Sequence, residues 1–361
     1  MQLRSAGLTA LLMALSLTGA TAQEQRTPTP YGVLYNEWKA EVNALDDVVP
    51  ELSRPEKRGK KRGINNRYTP RFLDLAKEHL NDDLWLDCLI WTSVEGVPGE
   101  AFDEMFDVLG QTAKVVRNTT QLQLLMSEFI NLESERINPA LSVIVESHAN
   151  AGVRGAALYA LAARTRRHAE EHGDVEGCAT AERLLERVIA EYPEVSTYRG
   201  ENRENATELL REMRSPVAIT RIAPSTQGKT ILGEDFDLSE VIRGKVAVIS
   251  FSGHWCGPCV AMHPIQKEII SKFPGESVVV IEMNSDTLDS LETVRGKIES
   301  EGLGWIVVTD GSDGPAAKQW KIKSWPTYFV LDSEGRIRHR VSGNCGRQLI
   351  TWVEELLPKS E

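Results

Sequence analysis

The sequence predicts an all-α helical-hairpin domain followed by an α/β sandwich, a mixed central sheet flanked by helices. Three observations carry this. From about Thr27 to Met213 apolar residues return every three or four positions with few β-branched runs, which is the helical period. After Ser215 short β-branched runs alternate with helical stretches, the order expected of strands covered by helices. Between these regions Pro216, Pro224 and Gly228 interrupt the helical period, so the boundary falls near Ser215 and the domains are read as 23–215 and 216–361. A chain of 361 residues, 41% hydrophobic, has apolar material for two cores.

The first 22 residues carry one cation at Arg4, an apolar run from Leu8 to Leu17 and the small-x-small triplet Ala20, Thr21, Ala22. This is the layout of a secretory signal peptide, with cleavage expected after Ala22. The apolar run is about half of the roughly 20 residues that span a bilayer, and no stable membrane insertion is expected. Export to the periplasm or the extracellular space places the mature chain where disulfides persist.

In the helical region Leu184, Leu185, Val188, Ile189 and Tyr192 form one stripe, and Ala157, Leu158, Leu161, Ala162 and Thr165 form another. A break at Gly173 and Asp174 joins them as a helical hairpin. The pair, with its Tyr192-Pro193 ending, resembles one tetratricopeptide unit; two further copies in register are not found, so the region is read as tetratricopeptide-like. Within it Arg54 to Arg71 holds eight Lys and Arg residues and one acid, broken by Gly59 and Gly63. That segment is read as a solvated loop between helices, the alternative being a site for an anionic partner.

In the second domain strands are expected at Val246 to Phe251, Val278 to Met283, Ile306 to Val308, Tyr328 to Leu331 and Ile337 to Val341. Helices fit Cys259 to Phe273, Leu288 to Glu301, Ala316 to Trp320 and Leu349 to Leu357. A hairpin through Ser333, Glu334 and Gly335 adds antiparallel edge strands.

The chemistry is concentrated in SGHWCGPCVAMHP, Ser252 to Pro264, entered from an apolar strand and left as a helix. Cys256 at a helix start meets unpaired N–H groups and the positive end of the helix dipole, which favours thiolate over thiol. Pro258 is tolerated in the first turn, and Gly257 lets another backbone approach closely. Cys256 is therefore expected to attack a substrate disulfide, and Cys259, one turn deeper, to resolve the mixed disulfide. Half a zinc site is a weaker reading, because no second CxxC or HxxxH follows at finger spacing. Haem attachment would need His where Val260 stands. A purely structural disulfide suits a two-residue loop at a helix start less well than exchange does.

WCGPC with Pro264 after it, and SWPTYFV farther on, resemble the two signatures of thioredoxins across about 140 residues. The resemblance implies the α/β thioredoxin-like sandwich and a cis peptide bond before Pro326. That bond would turn the backbone of Trp325 toward the cysteines and offer hydrogen bonds to an extended substrate. Trp255 and Trp325 would flank the groove. The subgroup most resembled is the exported TlpA-like and ResA-like thioredoxins of redoxin type, with a hairpin-like stretch around Lys229 to Gly244 and a helical insertion from Asp286 to Gly302. These imply a thiol-disulfide oxidoreductase with no cofactor and no metal, acting on protein thiols and disulfides with a thiol electron donor or acceptor. Two departures stand out: the family's buried acid is replaced by Ser250, and a glutamate of the ResA-like group by Met262. His254 and His263 lie near the cysteines and are candidates for proton transfer, with surface or packing roles as the alternative.

Net charge is -11, which disfavours nucleic acid and anionic membrane as partners. The remaining cysteines, Cys88, Cys178 and Cys345, are expected to be mostly buried inert thiols, the alternatives being pairing of Cys88 with Cys178 and Cys345 as a third redox centre in the loop before the last helix. Two other functions stay open. A thiol peroxidase shares the fold, but Gly253 and Ile249 stand where peroxide-polarising Thr and Pro would be. A docking or chaperone-like module is the non-enzymatic reading.

Overall fold

A computed structural model describes residues 29–48, 53–112, 119–193, 196–197, 200–273 and 276–358. The expected signal peptide, 1–22, and its cleavage point at Ala22 lie outside the described residues. Among the described residues no helix is long and apolar enough to cross a membrane. The chain divides into two units, one running to Arg167 and including Ala179–Leu210, the other made of His168–Cys178 and Arg211–Glu361.

The first unit is built from α1 Pro30–Val48, α2 Arg54–Glu78, α3 Leu84–Glu95, α4 Glu100–Thr112, α5 Thr119–Phe129 and α6 Ile137–Ser147. Then come α7 Ala151–His172 and α8 Val175–Glu191, a short pair β1 Ser196–Thr197 and β2 Gly200–Glu201, and α9 Asn202–Met213, of which the turn between α7 and α8 (His168–Cys178) and the end of α9 fall in the second unit. Its core is aromatic: the Phe72 and Trp91 rings stack at 4.0 Å, and Trp38 meets Trp91 edge-on at 5.6 Å. Trp38 donates its indole N–H to Asn65 Oδ1 at 2.8 Å, so the one polar atom it buries is satisfied. Between α7 and α8, Gly173 adopts φ +64° and the Asp174 N–H bonds back to the Ala169 carbonyl at 2.8 Å. This is the left-handed helix stop that a residue without Cβ accepts at no steric cost.

The basic segment is not the loop expected from its charges. It forms the first turns of α2, which runs unbroken from Arg54 to Glu78. Two local features explain the difference. Ser53 and Glu56 make a capping box, the Ser53 N–H bonding Glu56 Oε2 at 2.9 Å, and Pro55 sits where its missing N–H is not needed. Farther along, Ile64, Tyr68 and Phe72 bury one face and anchor the helix while most of the cations stay in water.

The second unit holds a mixed seven-stranded sheet in the order β4-β3-β7-β6-β5-β8-β9. Its elements are β3 Gln227–Thr230, β4 Asp235–Asp237, α10 Leu238–Val241, β5 Val246–Ser252, α11 Gly257–Val260 and α12 His263–Lys272. After them come β6 Val278–Asn284, α13 Leu291–Glu301, β7 Ile306–Thr309, α14 Pro315–Gln319, β8 Thr327–Leu331, β9 Ile337–Ser342 and α15 Gln348–Leu356. Strands β5, β6 and β7 run parallel, and the rest pair antiparallel. Every residue of β5 is buried, as a central strand covered on both faces requires. One face packs Met262 and Ile269 with Val294, Leu349 and Val353; the other packs Ala316, Ala317 and Trp320. The single helix expected from Cys259 to Phe273 is two, α11 and α12, because Pro264 has no N–H to continue the ladder through Val260.

On β9, His339 stacks on Trp352 at 4.8 Å, with an interplanar angle of 10°. Burial pushes its pKa from 6.5 down to about 4, and the Arg338 charge acts in the same direction. Glu355, 3.8 Å away and about half exposed, is too solvated to reverse this. The folded state thus keeps His339 neutral where the unfolded chain takes up a proton. Its stabilising contribution is complete above about pH 6.5 and is lost as pH falls from there toward 4. Urea midpoints at pH 7 and pH 4.5 are expected to differ less in His339→Phe than in the wild type; an equal difference contradicts this.

Candidate functional site

Strand β5 delivers the chain to the cysteines through Gly253, His254 and Trp255. The Ser252 carbonyl is held by the Ser285 N–H at 2.7 Å, and the Cys256 N–H turns back to the Gly253 carbonyl at 3.0 Å. A Cβ on Gly253 would lie 2.6 Å from the Trp255 indole nitrogen, so this indole folds back where only glycine leaves room.

Cys256 is the N-cap of α11 and is joined to Cys259 by a disulfide. Its Sγ accepts the Cys259 N–H at 3.3 Å, a helix-start donor that the Cys256 carbonyl also accepts at 3.0 Å. Cys256 keeps 6% exposure and Cys259 none, so the first sulfur lies nearer to solvent and the second is sealed beneath it. Pro258 occupies the first turn, and the space where Gly257 would carry a Cβ is open.

Trp255 is 58% exposed, a large apolar surface beside the disulfide. Its ring approaches that of Trp325 at 5.8 Å, and the Trp325 indole donates to Ser285 Oγ at 2.8 Å. The Trp325–Pro326 peptide bond is cis. The Pro326 carbonyl is tied to the Gly343 N–H at 2.7 Å.

Both histidine side chains are buried, 4% and 6% exposed, and each faces a carboxylate. His254 approaches Asp286 twice, its backbone N–H at 2.9 Å and Nδ1 at 3.2 Å from the same oxygen. His263 Nδ1 lies 3.1 Å from Glu301 Oε2, and its ring stands 6.0 Å from that of His254 and 5.4 Å from that of Trp305.

Position 250 is a serine and not an acid, and the fold supplies a carboxylate from the adjacent strand. The parallel register of β5 and β6 sets Glu282 directly beside Ser250. Glu282 is 1% exposed, with Oε2 accepting the Trp305 indole N–H at 2.9 Å and Oε1 the Asn284 amide at 3.2 Å. The same Asn284 nitrogen donates to Asp286 Oδ2 at 2.8 Å. The signal was present: an acid within Val278 to Asn284, otherwise apolar up to its terminal Asn, is a residue that burial must explain. Met262, where the other expected glutamate is missing, is buried in the core.

Cys88 is fully buried, and burial pushes its thiol well above the ordinary range, aided by the Asp87 and Asp82 charges. Burial raises the half-buried Cys345 as well. Neither is set up as a nucleophile. Cys178 is also buried. Among the described residues no group of three or more His, Cys, Asp or Glu side chains is placed to hold a metal ion.

Residues 220–347 match the Redoxin family model. The chain is 28% identical over 144 residues to a thiol:disulfide interchange protein DsbE homolog of Paracoccus denitrificans, covering 40% of this chain and 75% of that protein. It is 26% identical over 129 residues to the thiol-disulfide oxidoreductase ResA of Bacillus subtilis, covering 36% of this chain and 70% of the relative. The crystal structure of StoA from Bacillus subtilis aligns with 36% of this chain and 96% of its own, at 25% identity and a TM-score of 0.31.

Proposed function

We propose that the chain, whose residues 220–347 match the Redoxin family model, is a thioredoxin-like thiol-disulfide oxidoreductase that exchanges disulfides with protein substrates through Cys256 and Cys259. The observation that carries this reading is a disulfide at the start of α11 whose outer sulfur borders an exposed tryptophan and whose inner sulfur is sealed. In the reducing direction, the Cys256 thiolate attacks a substrate disulfide and expels one substrate thiolate. Cys259 then attacks Cys256 Sγ, expels the second and leaves the enzyme disulfide, so two electrons pass to the substrate. Gly257 leaves the approach open and Pro258 fits the first turn, while Trp255, Trp325 and Pro326 line the substrate groove. His254 and His263 serve proton transfer. The mature protein is exported after cleavage near Ala22, and its helical, tetratricopeptide-like region presents a surface for partners. A thiol electron donor or acceptor completes the cycle without a bound cofactor.

Purified protein is expected to reduce insulin with dithiothreitol as donor. Rapid consumption of hydrogen peroxide without insulin reduction would favour the thiol peroxidase reading instead.

A further inference from the structure

A thiol sealed from water needs an internal acceptor before it can become a thiolate, and Cys259 is such a group. The family's usual acid position holds Ser250, whose hydroxyl is engaged by the Ile281 carbonyl at 3.3 Å and the Gln266 amide at 3.4 Å. Beside it runs a continuous buried chain of hydrogen bonds. It starts at the Trp305 indole, passes to Glu282, to the Asn284 amide, to Asp286 Oδ2 and ends at His254 Nδ1. The three residues at and just after the end of β6 are each at most 6% exposed.

The chain fixes a tautomer. Asp286 Oδ2 already accepts the His254 backbone N–H and the Asn284 amide, so the Nδ1 facing it is the protonated nitrogen and Nε2 carries the lone pair. That Nε2 is buried and finds no hydrogen-bond partner among the described residues, in a side chain only 4% exposed. A buried polar atom left without a partner costs stability, which makes this nitrogen beside the disulfide a candidate for a functional role. The ring lies two residues before Cys256 and beside that of His263, which opens the helix one turn after Cys259.

Resting on the disulfide-exchange reading, we propose that His254 is the base for Cys259 and that Asp286, Asn284 and Glu282 are positioning residues that hold and charge-balance it. In the resolving step the Cys259 S–H bond breaks, the electron pair stays on sulfur and the proton passes to His254 Nε2. The thiolate then attacks Cys256 Sγ, and the departing substrate thiolate takes the proton. Asp286 and Glu282 offset the imidazolium formed in between. The other titratable groups along this chain are His263 on α12 with Glu301 on α13 behind it, beside His254, and Tyr328 on β8, whose electrostatic neighbour is Glu282.

The reduced full chain reacting with 5,5'-dithiobis(2-nitrobenzoate) separates the steps, because each releases one coloured thiolate: the first on attack by Cys256, the second on resolution by Cys259. Asp286→Asn, His254→Gln and Glu282→Gln are each expected to leave the first phase intact and slow the second by ~10-fold or more at pH 7. The deficit should shrink toward pH 9, where hydroxide replaces the base. A second phase unchanged in these variants, or slowed by one factor at every pH as a merely structural role would give, overturns the relay. Absence of the first phase from the wild type would instead sink the disulfide-exchange reading itself.

Discussion

Cys256→Ser is expected to reduce insulin turnover with dithiothreitol by on the order of a thousandfold, to the uncatalysed background, because the variant lacks the sulfur that caps α11 and lies nearer to solvent than Cys259. A serine hydroxyl at the same N-cap is not ionised near neutral pH and forms no mixed disulfide. Cys259→Ser is expected to fail differently. Its first attack proceeds, resolution does not, and the adduct accumulates as a covalent complex that reductant dissolves. Mass spectrometry of the two variants after mixing with insulin reads both outcomes. Turnover by Cys256→Ser equal to that of the wild type removes the basis of the proposed function.

Trp91→Ala carries the largest expected cost to stability, about 3 to 5 kcal/mol for truncating a buried tryptophan. Trp91 is fully buried, stacks on Phe72 and takes the edge of Trp38, so its removal opens a cavity at the junction of α1, α2 and α3. Its indole N–H has no hydrogen-bond partner among the described residues, so the loss is one of packing and not of a polar contact. Urea unfolding of the full chain followed by far-ultraviolet circular dichroism measures it. A change below about 1 kcal/mol would mean that the aromatic cluster repacks and is not the core of the helical unit.

Much of the second unit was legible because its signals are local. Strands β5 to β9 lie within a residue or two of the runs that announced them, and the runs for β5 to β8 are mostly apolar and β-branched or aromatic. The start of α11 was equally readable from Pro258 in the first turn. Where reading failed, a local signal was outweighed or the cause was distant. Eight cations suggested a loop at Arg54 to Arg71, while Ser53-x-x-Glu56 and the buried spacing of Ile64, Tyr68 and Phe72 specified a helix.

The buried chain behind the cysteines illustrates the second case. Glu282, Asn284 and Asp286 follow the period of two that puts residues on one face of a strand, and this could be read in advance. Their partners could not. Trp305 comes from the segment before β7, His254 from the turn after β5, and only the β5–β6 register puts a carboxylate beside Ser250. The acid sought on one strand is supplied by its neighbour, a substitution that no single stretch of sequence displays.

The most direct test of the account is the pH dependence of iodoacetamide alkylation in the fully reduced protein, with the modified cysteine identified by peptide mass mapping. The account predicts that Cys256 is modified first and that its rate reaches half-maximum well below the ordinary thiol value of about 8.5. Half-maximum at or above that value, or first modification at Cys345, would contradict it.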